Sequence, residues 1–205
     1  MIVSTSGIKK EIKMSRDAIL SAVKKNKPEA LPMPVINEDA FAETIDLLET
    51  FKNNIALVGG IVKEVDIKNV DKEINTNYPN AIHIVSATTK SALGTIPISK
   101  ETDSRTLEAI DLAILEGELG VSENGAIWVT ANTSLVRALP FITNDLVIIL
   151  DKNKLSLHML NAYDMINKRE RNFGVFISGP SKTADIEQCL VVGAHGAMSL
   201  MVLLV

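Results

Sequence analysis

The sequence predicts an α/β fold with a mostly parallel open sheet and helices on both faces. Three observations lead there. Apolar runs at 112–115, 146–150 and 199–205 lack the strict alternation of a half-buried strand, so they read as strands covered on both sides. Segments with helical apolar spacing separate such runs. Polar, glycine-containing turns follow several of them, and ligands in open α/β sheets bind beyond the C-terminal strand ends.

The 205 residues suit an N-terminal helical arm with a proline-containing linker, 1–36, and one α/β domain, 37–205. A composition of 46% hydrophobic and 22% charged residues is that of a soluble globular protein, and a net charge of −4 gives no attraction to nucleic acid or anionic membranes. No apolar run reaches the roughly 18 residues of a membrane span, so a cytoplasmic protein is expected. The single cysteine, Cys189, can neither close an intrachain disulfide nor hold an iron–sulfur cluster. No intrinsic cofactor is expected, and electron transfer would need a borrowed cofactor or a partner. His83, His158 and His195 are scattered without metal-ligand spacing, so no metal site is expected.

In chain order, Ile8, Ile12, Ile19 and Val23 recur at helical spacing among lysines, which predicts a basic amphipathic helix. Pro28, Pro32 and Pro34 end it in an extended linker. Phe41, Ile45, Leu48 and Phe51 predict a helix over 39–53, and the apolar run 55–58 before Gly59 and Gly60 reads as a first strand. Val70 and Ile74 mark a short helix, 81–85 a second strand containing His83, and 86–102 a loop. Ser104 reads as the cap of a helical turn before the strand at 112–115, which ends at Glu116 and Gly117. The turn of Ser122, Glu123, Asn124 and Gly125 enters a strand at 126–130, and a carboxylate there can be supported by backbone donors. The 132–140 loop carries Arg137, a guanidinium able to clamp a carboxylate or phosphate. Leu155, Met159, Tyr163 and Ile166 predict a helix ending in Lys168, Arg169 and Arg171, where cations suit its dipole.

The run 173–177 then gives way to Ser178, Gly179, Pro180, Ser181, Lys182 and Thr183, followed by Ile186, Leu190 and Val191 at helical spacing. This reads as strand, tight loop and helix. Gly179 permits close backbone approach, the Ser181 and Thr183 hydroxyls cap the helix, and the helix end suits a small anion, while Asp185 and Glu187 bring negative charge into its first turn. His195 lies in a small-residue turn, 193–197, before the last strand.

From Asp111 onward the sequence resembles the LUD-domain family, in particular its lactate utilization protein C group. The longest match is Ser178-Gly179-Pro180-Ser181-Lys182-Thr183-Ala184-Asp185-Ile186-Glu187, joined by the Glu123 turn, the Leu139-Pro140 pair and the Gly193–Gly196 turn. The resemblance implies a fold like that of the NagB/RpiA/CoA transferase superfamily. It also implies a role in converting L-lactate to pyruvate beside iron–sulfur and oxidoreductase partner proteins. The candidate ligand-binding residues for a small anionic metabolite are Asn124, Gly125, Arg137, Ser178, Gly179, Ser181, Lys182, Thr183, Asp185 and His195. Two departures stand out: Glu123-Asn124-Gly125-Ala126 replaces a usual Glu-Thr-Gly-Thr, and Thr143 and Asn144 stand where a histidine is usual. The first makes the turn look like the catalytic glutamate motif of one class of CoA transferases. Glu123 is therefore the catalytic candidate under an alternative reading, an acyl-CoA transferase-like or sugar-phosphate isomerase-like enzyme.

Overall fold

A computed structural model describes residues 6–32, 34, 36–37, 45–107, 109–167, 173–184 and 190–205. The chain divides into two units, Met1–Glu43 and Thr44–Val205. In the first, helix α1 (Ser6–Lys25) places Lys24 and Lys25 in its last turn, where the dipole favours cations. Ile19, Leu20 and Val23 of this helix are exposed, and the side chains of Ile8 and Ile12 lie outside the described residues.

The second unit opens with helix α2 (Leu47–Leu57), not with a helix ending at 53 and a strand at 55–58. Phe41 of the expected helix lies outside the described residues. Asp46 caps α2, accepting from the amides of Leu48 and Glu49 at 3.0 and 3.1 Å. Phe51 and Ile55, four residues apart, bury the same face. At the other end Gly60 N–H donates to Ile55 O and Gly59 N–H to Ala56 O, a Schellman ending with Gly59 at φ +85°. The glycine pair thus closes a helix and leads into the first strand, β1 (Ile61–Glu64).

Asp66 caps a short 3-10 turn, and helix α3 (Val70–Asn77) follows with Val70 and Ile74 buried, as their spacing predicts. Strand β2 (Ile84–Ser86) starts later than expected because the amides of Ile82 and His83 donate to the Asp111 carboxylate, at 2.9 and 2.8 Å, instead of joining a ladder. Asp103, rather than Ser104, caps the turn before strand β3 (Ile110–Gly117). Strands β4 (Leu119–Val121) and β5 (Ala126–Thr130) flank the Glu123 turn. The expected loop at 132–140 holds two single helical turns, α4 (Ala131–Ser134) and α5 (Leu139–Ile142), the first fixed by reciprocal Thr130 and Thr133 hydrogen bonds. Strand β6 (Thr143–Leu150) and a short β7 (Leu155–Ser156) precede helix α6 (Met159–Asn167). Lys168, Arg169 and Arg171 lie outside the described residues. Strand β8 (Gly174–Ile177) is followed by β9 (Lys182–Ala184), β10 (Leu190–Val192) and β11 (Ser199–Leu204).

Five strands form an all-parallel sheet in the order β1-β11-β6-β3-β2. On one face Leu115, Leu146, Ile148, Val202 and Leu204 pack with Phe51 and Ile55 of α2 and with Ile127 and Val129 of a second sheet. On the other, Leu112, Ile114, Val147, Ile149, Met201 and Leu203 pack with Val70 and Ile74 of α3. Burial on both faces is the reason β6 reads as an unbroken apolar run. The second sheet, β7-β4-β5-β8, is mixed, and sequence reasoning did not separate it from the first. Its outer face is covered by Ala162 and Met159 of α6, beside Trp128 and Phe176, whose rings lie 4.7 Å apart. Gly174 is required there, since a Cβ would fall 2.0 Å from the Trp128 ring. Among the described residues no helix is long and apolar enough to cross a membrane.

Candidate functional site

The predicted helix after the Ser178 loop is corrected. Residues Lys182–Ala184 pair antiparallel with Leu190–Val192, Val191 lying opposite Thr183, so both stretches are strands. Adjacent β-branched residues at 191 and 192 favour a strand over the helix that the spacing to Ile186 suggests. Ser181 and Thr183 therefore cap no helix, and the anion site argued from a helix N-terminus loses its basis. Asp185, Ile186, Glu187 and Cys189 lie outside the described residues.

What the loop does instead is visible contact by contact. Gly179, at φ +74°, lies against the end of α2, where a Cβ would fall 2.7 Å from Val58 O. Lys182 Nζ donates to the same carbonyl, a cation on the negative end of a helix. Ser178 Oγ donates to Asn124 O at 2.8 Å, joining this loop to the Glu123 turn. Ser181 N–H donates to Ala197 O, and its carbonyl accepts from Gly193 N–H. The bend Gly193–Gly196 is thereby tied to the loop, with His195 exposed on it.

The Glu123 turn is equally engaged. Ser122 Oγ donates to Leu47 O at 2.8 Å, Asn54 Nδ2 to Ser122 O at 2.7 Å, and Asn124 Oδ1 accepts from Ala126 N–H at 3.0 Å. Gly125, at φ +66°, faces the backbone of α2. Glu123 Oε1 accepts the Met159 amide at 2.9 Å, at the start of α6, and Oε2 lies 2.7 Å from His158 Nδ1. A carboxylate is well placed at a helix N-terminus. The two residues are 35 apart, so no local spacing announces His158. Asn124, Gly125, Ser178, Gly179, Ser181, Lys182 and Glu123 are thus brought to one neighbourhood. Arg137 is not, because its guanidinium lies 5.5 Å from the Phe173 ring at the Thr130 end of β5, opposite the end that carries Glu123.

A second polar locus lies at the C-terminal ends of the parallel strands. Lys90 Nζ is 2.9 Å from Glu116 Oε2, and the Thr88 hydroxyl donates to the other Glu116 oxygen. Burial pushes the Glu116 carboxyl up, but Thr88, Lys90 and Lys154 more than reverse this and leave it below the ordinary glutamate range. Glu64 is held closely by Lys52, which keeps its carboxyl low, while Lys152 stands 3.7 Å from the other oxygen. The Asn153 amide, followed by Lys154 and Lys90, lowers Asp151. Sequence reasoning marked Glu116 only as the end of a strand and singled out none of Lys90, Asp151 and Lys152, although Asp151 directly follows the apolar run 146–150. Among the described residues no three His, Cys, Asp or Glu side chains converge as a metal site.

A parallel sheet with a polar cleft at its strand ends, backed by a mixed second sheet, defines an α/β protein. More particularly, the LUD domain family model matches residues 10–205, and the chain belongs to that family. It is 31% identical over 113 residues to lactate utilization protein C of Bacillus pumilus (strain SAFR-032), a match covering 52% of this chain and 47% of that protein. With lactate utilization protein C of Geobacillus sp. (strain WCH70) it shares 26% over 199 residues, covering 90% of this chain and 76% of the other. The first match spans about half the length of its relative. The crystal structure of a DUF162 family protein from Deinococcus radiodurans superposes with a TM-score of 0.54 over 83% of this chain and 99% of that one, at 15% identity. This likeness supports the fold.

Proposed function

We propose that this chain is an accessory, ligand-binding component of L-lactate oxidation to pyruvate, acting beside iron–sulfur and oxidoreductase partner proteins and binding a small anionic metabolite. The observation that carries the reading is the LUD match across residues 10–205 together with relatives named for lactate utilization. Glu123 is tied to the start of α6, where Oε1 accepts the Met159 amide and Oε2 lies beside His158, and these contacts support a structural role for this carboxylate.

The test is growth and capture. Loss of the gene should slow growth on L-lactate but not on glucose, and the tagged full chain should recover lactate-oxidising iron–sulfur and oxidoreductase proteins from cells grown on L-lactate. Unimpaired growth with no such protein recovered would overturn the reading.

A further inference from the structure

The C-terminal strand ends carry an inference that deepens this reading and rests on it for the choice of ligand. A cavity of about 710 Å³ opens there between the segment leaving β1 and the turn leaving β6. Its floor is apolar, formed by Val65, Leu204 and Val205. The floor is also stiff. Val65 N–H donates to Leu204 O at 2.9 Å, Val205 N–H to Leu150 O at 3.0 Å, and Lys152 N–H to Val205 O at 3.2 Å, so backbone pairing runs on past the strands. Such a floor costs little further ordering when a ligand settles on it.

The rim carries both signs of charge, and its ammonium groups differ in how far they are committed. Lys90 is paired with Glu116 at 2.9 Å. Lys152 is 3.7 Å from Glu64, a longer contact than the one Lys52 makes with the same carboxylate, and its side chain is 47% exposed. It has the most to gain from an incoming carboxylate. Asp66 and Asp151 face the same cavity and, as ionised carboxylates, can only accept hydrogen bonds. Asp66 already accepts the Lys68 amide and Asp151 the Asn153 amide, and a ligand hydroxyl can donate to the lone pairs that remain. A keto oxygen, itself only an acceptor, makes no such bond and brings lone pairs against negative charge.

We infer that this cleft binds a 2-hydroxy carboxylate, its carboxylate on Lys152, its hydroxyl donating to Asp66 or Asp151 and its carbon skeleton over Val65, Leu204 and Val205. The site discriminates hydroxy acid from keto acid.

Methyl NMR of the full chain tests this, with L-lactate and pyruvate as the probes. L-lactate should shift the Val65, Leu204 and Val205 methyls saturably, with binding at least about tenfold weaker for pyruvate and for Lys152→Ala. Unmoved methyls, equal affinity for the two acids, or unchanged binding in Lys152→Ala would each overturn the assignment. A chain that recovers its partners yet leaves these methyls unmoved refutes the site while the accessory role stands. A chain that binds L-lactate there but recovers no partner does the reverse.

Discussion

The Ser178 loop with the Glu123 turn and the cleft at the parallel strand ends are both polar, yet they spend their polar groups differently. In the first, Ser178 reaches Asn124, Lys182 reaches Val58, Ser122 reaches Leu47 and Glu123 reaches the start of α6. These bonds tie together segments far apart in sequence. In the second, lysines and carboxylates face one another around an open cavity, and the shared Glu64 leaves Lys152 loosely held. Ser178, Gly179 and Lys182 therefore latch their loop to neighbouring segments, whereas the charged groups of the cleft come from separate strand ends. A motif can be specific where a backbone must pass close by, as Gly179 passes Val58.

Breaking the latch at its tightest point should have the largest effect. Gly179→Ala puts a Cβ against Val58 O at a positive φ, and urea unfolding should show a loss of about 3 kcal/mol with the cleft's ligand shifts unchanged in the folded fraction. Glu123→Ala removes an acceptor from the first amide of α6 and a partner from His158; about 2 kcal/mol should be lost in the same measurement. An effect on cleft binding larger than on stability, in either variant, would erase the distinction between the two regions.

Acid should act more gently, through carboxylates held below their ordinary range. Glu116 titrates below its ordinary range when folded, so its contribution is present at neutral pH and disappears as pH falls through the folded value, the unfolded chain taking up its proton first. Asp111, held low by the amides of His83 and Ile82, acts in the same direction. The melting temperature should be level between neutral pH and about pH 5 and fall below it, and Glu116→Gln should make that fall shallower. Smallest of all, Lys152→Ala should leave stability within about 0.5 kcal/mol by urea unfolding, since a loose exposed ion pair contributes little.

The parallel sheet was legible because burial on both faces writes itself into local composition, as in Leu146 to Leu150, and α3 because Val70 and Ile74 sit one turn apart. The end of α2 was not. An apolar run before two glycines looks the same in a strand and in a helix closed by a Schellman ending, and the deciding residue, Asp46, lies nine positions upstream of Ile55. The strand pair at 182–184 and 190–192 was hidden because strand pairing leaves no mark in either strand alone. The Glu123 turn was legible from Asn124-Gly125, but its partner His158 was not, since only the fold brings residues 35 apart into contact. The cleft was illegible for the same reason, Lys90, Glu116 and Lys152 arriving on three separate segments.

The place of β11 has a consequence for how the molecule is made. Strand β1 has β11 as its neighbour in the parallel sheet, so Ile61 must wait for Met201, and β11 enters between β1 and β6 rather than adding to an edge. A chain emerging from the ribosome can assemble α3, β2, β3 and β6 early, but it holds β1 without its parallel neighbour until β11 has been synthesised. Long-range closure of this kind slows folding. It leaves the apolar flank of β6 unpaired in the interval, the kind of exposed strand edge that makes folding intermediates prone to aggregate.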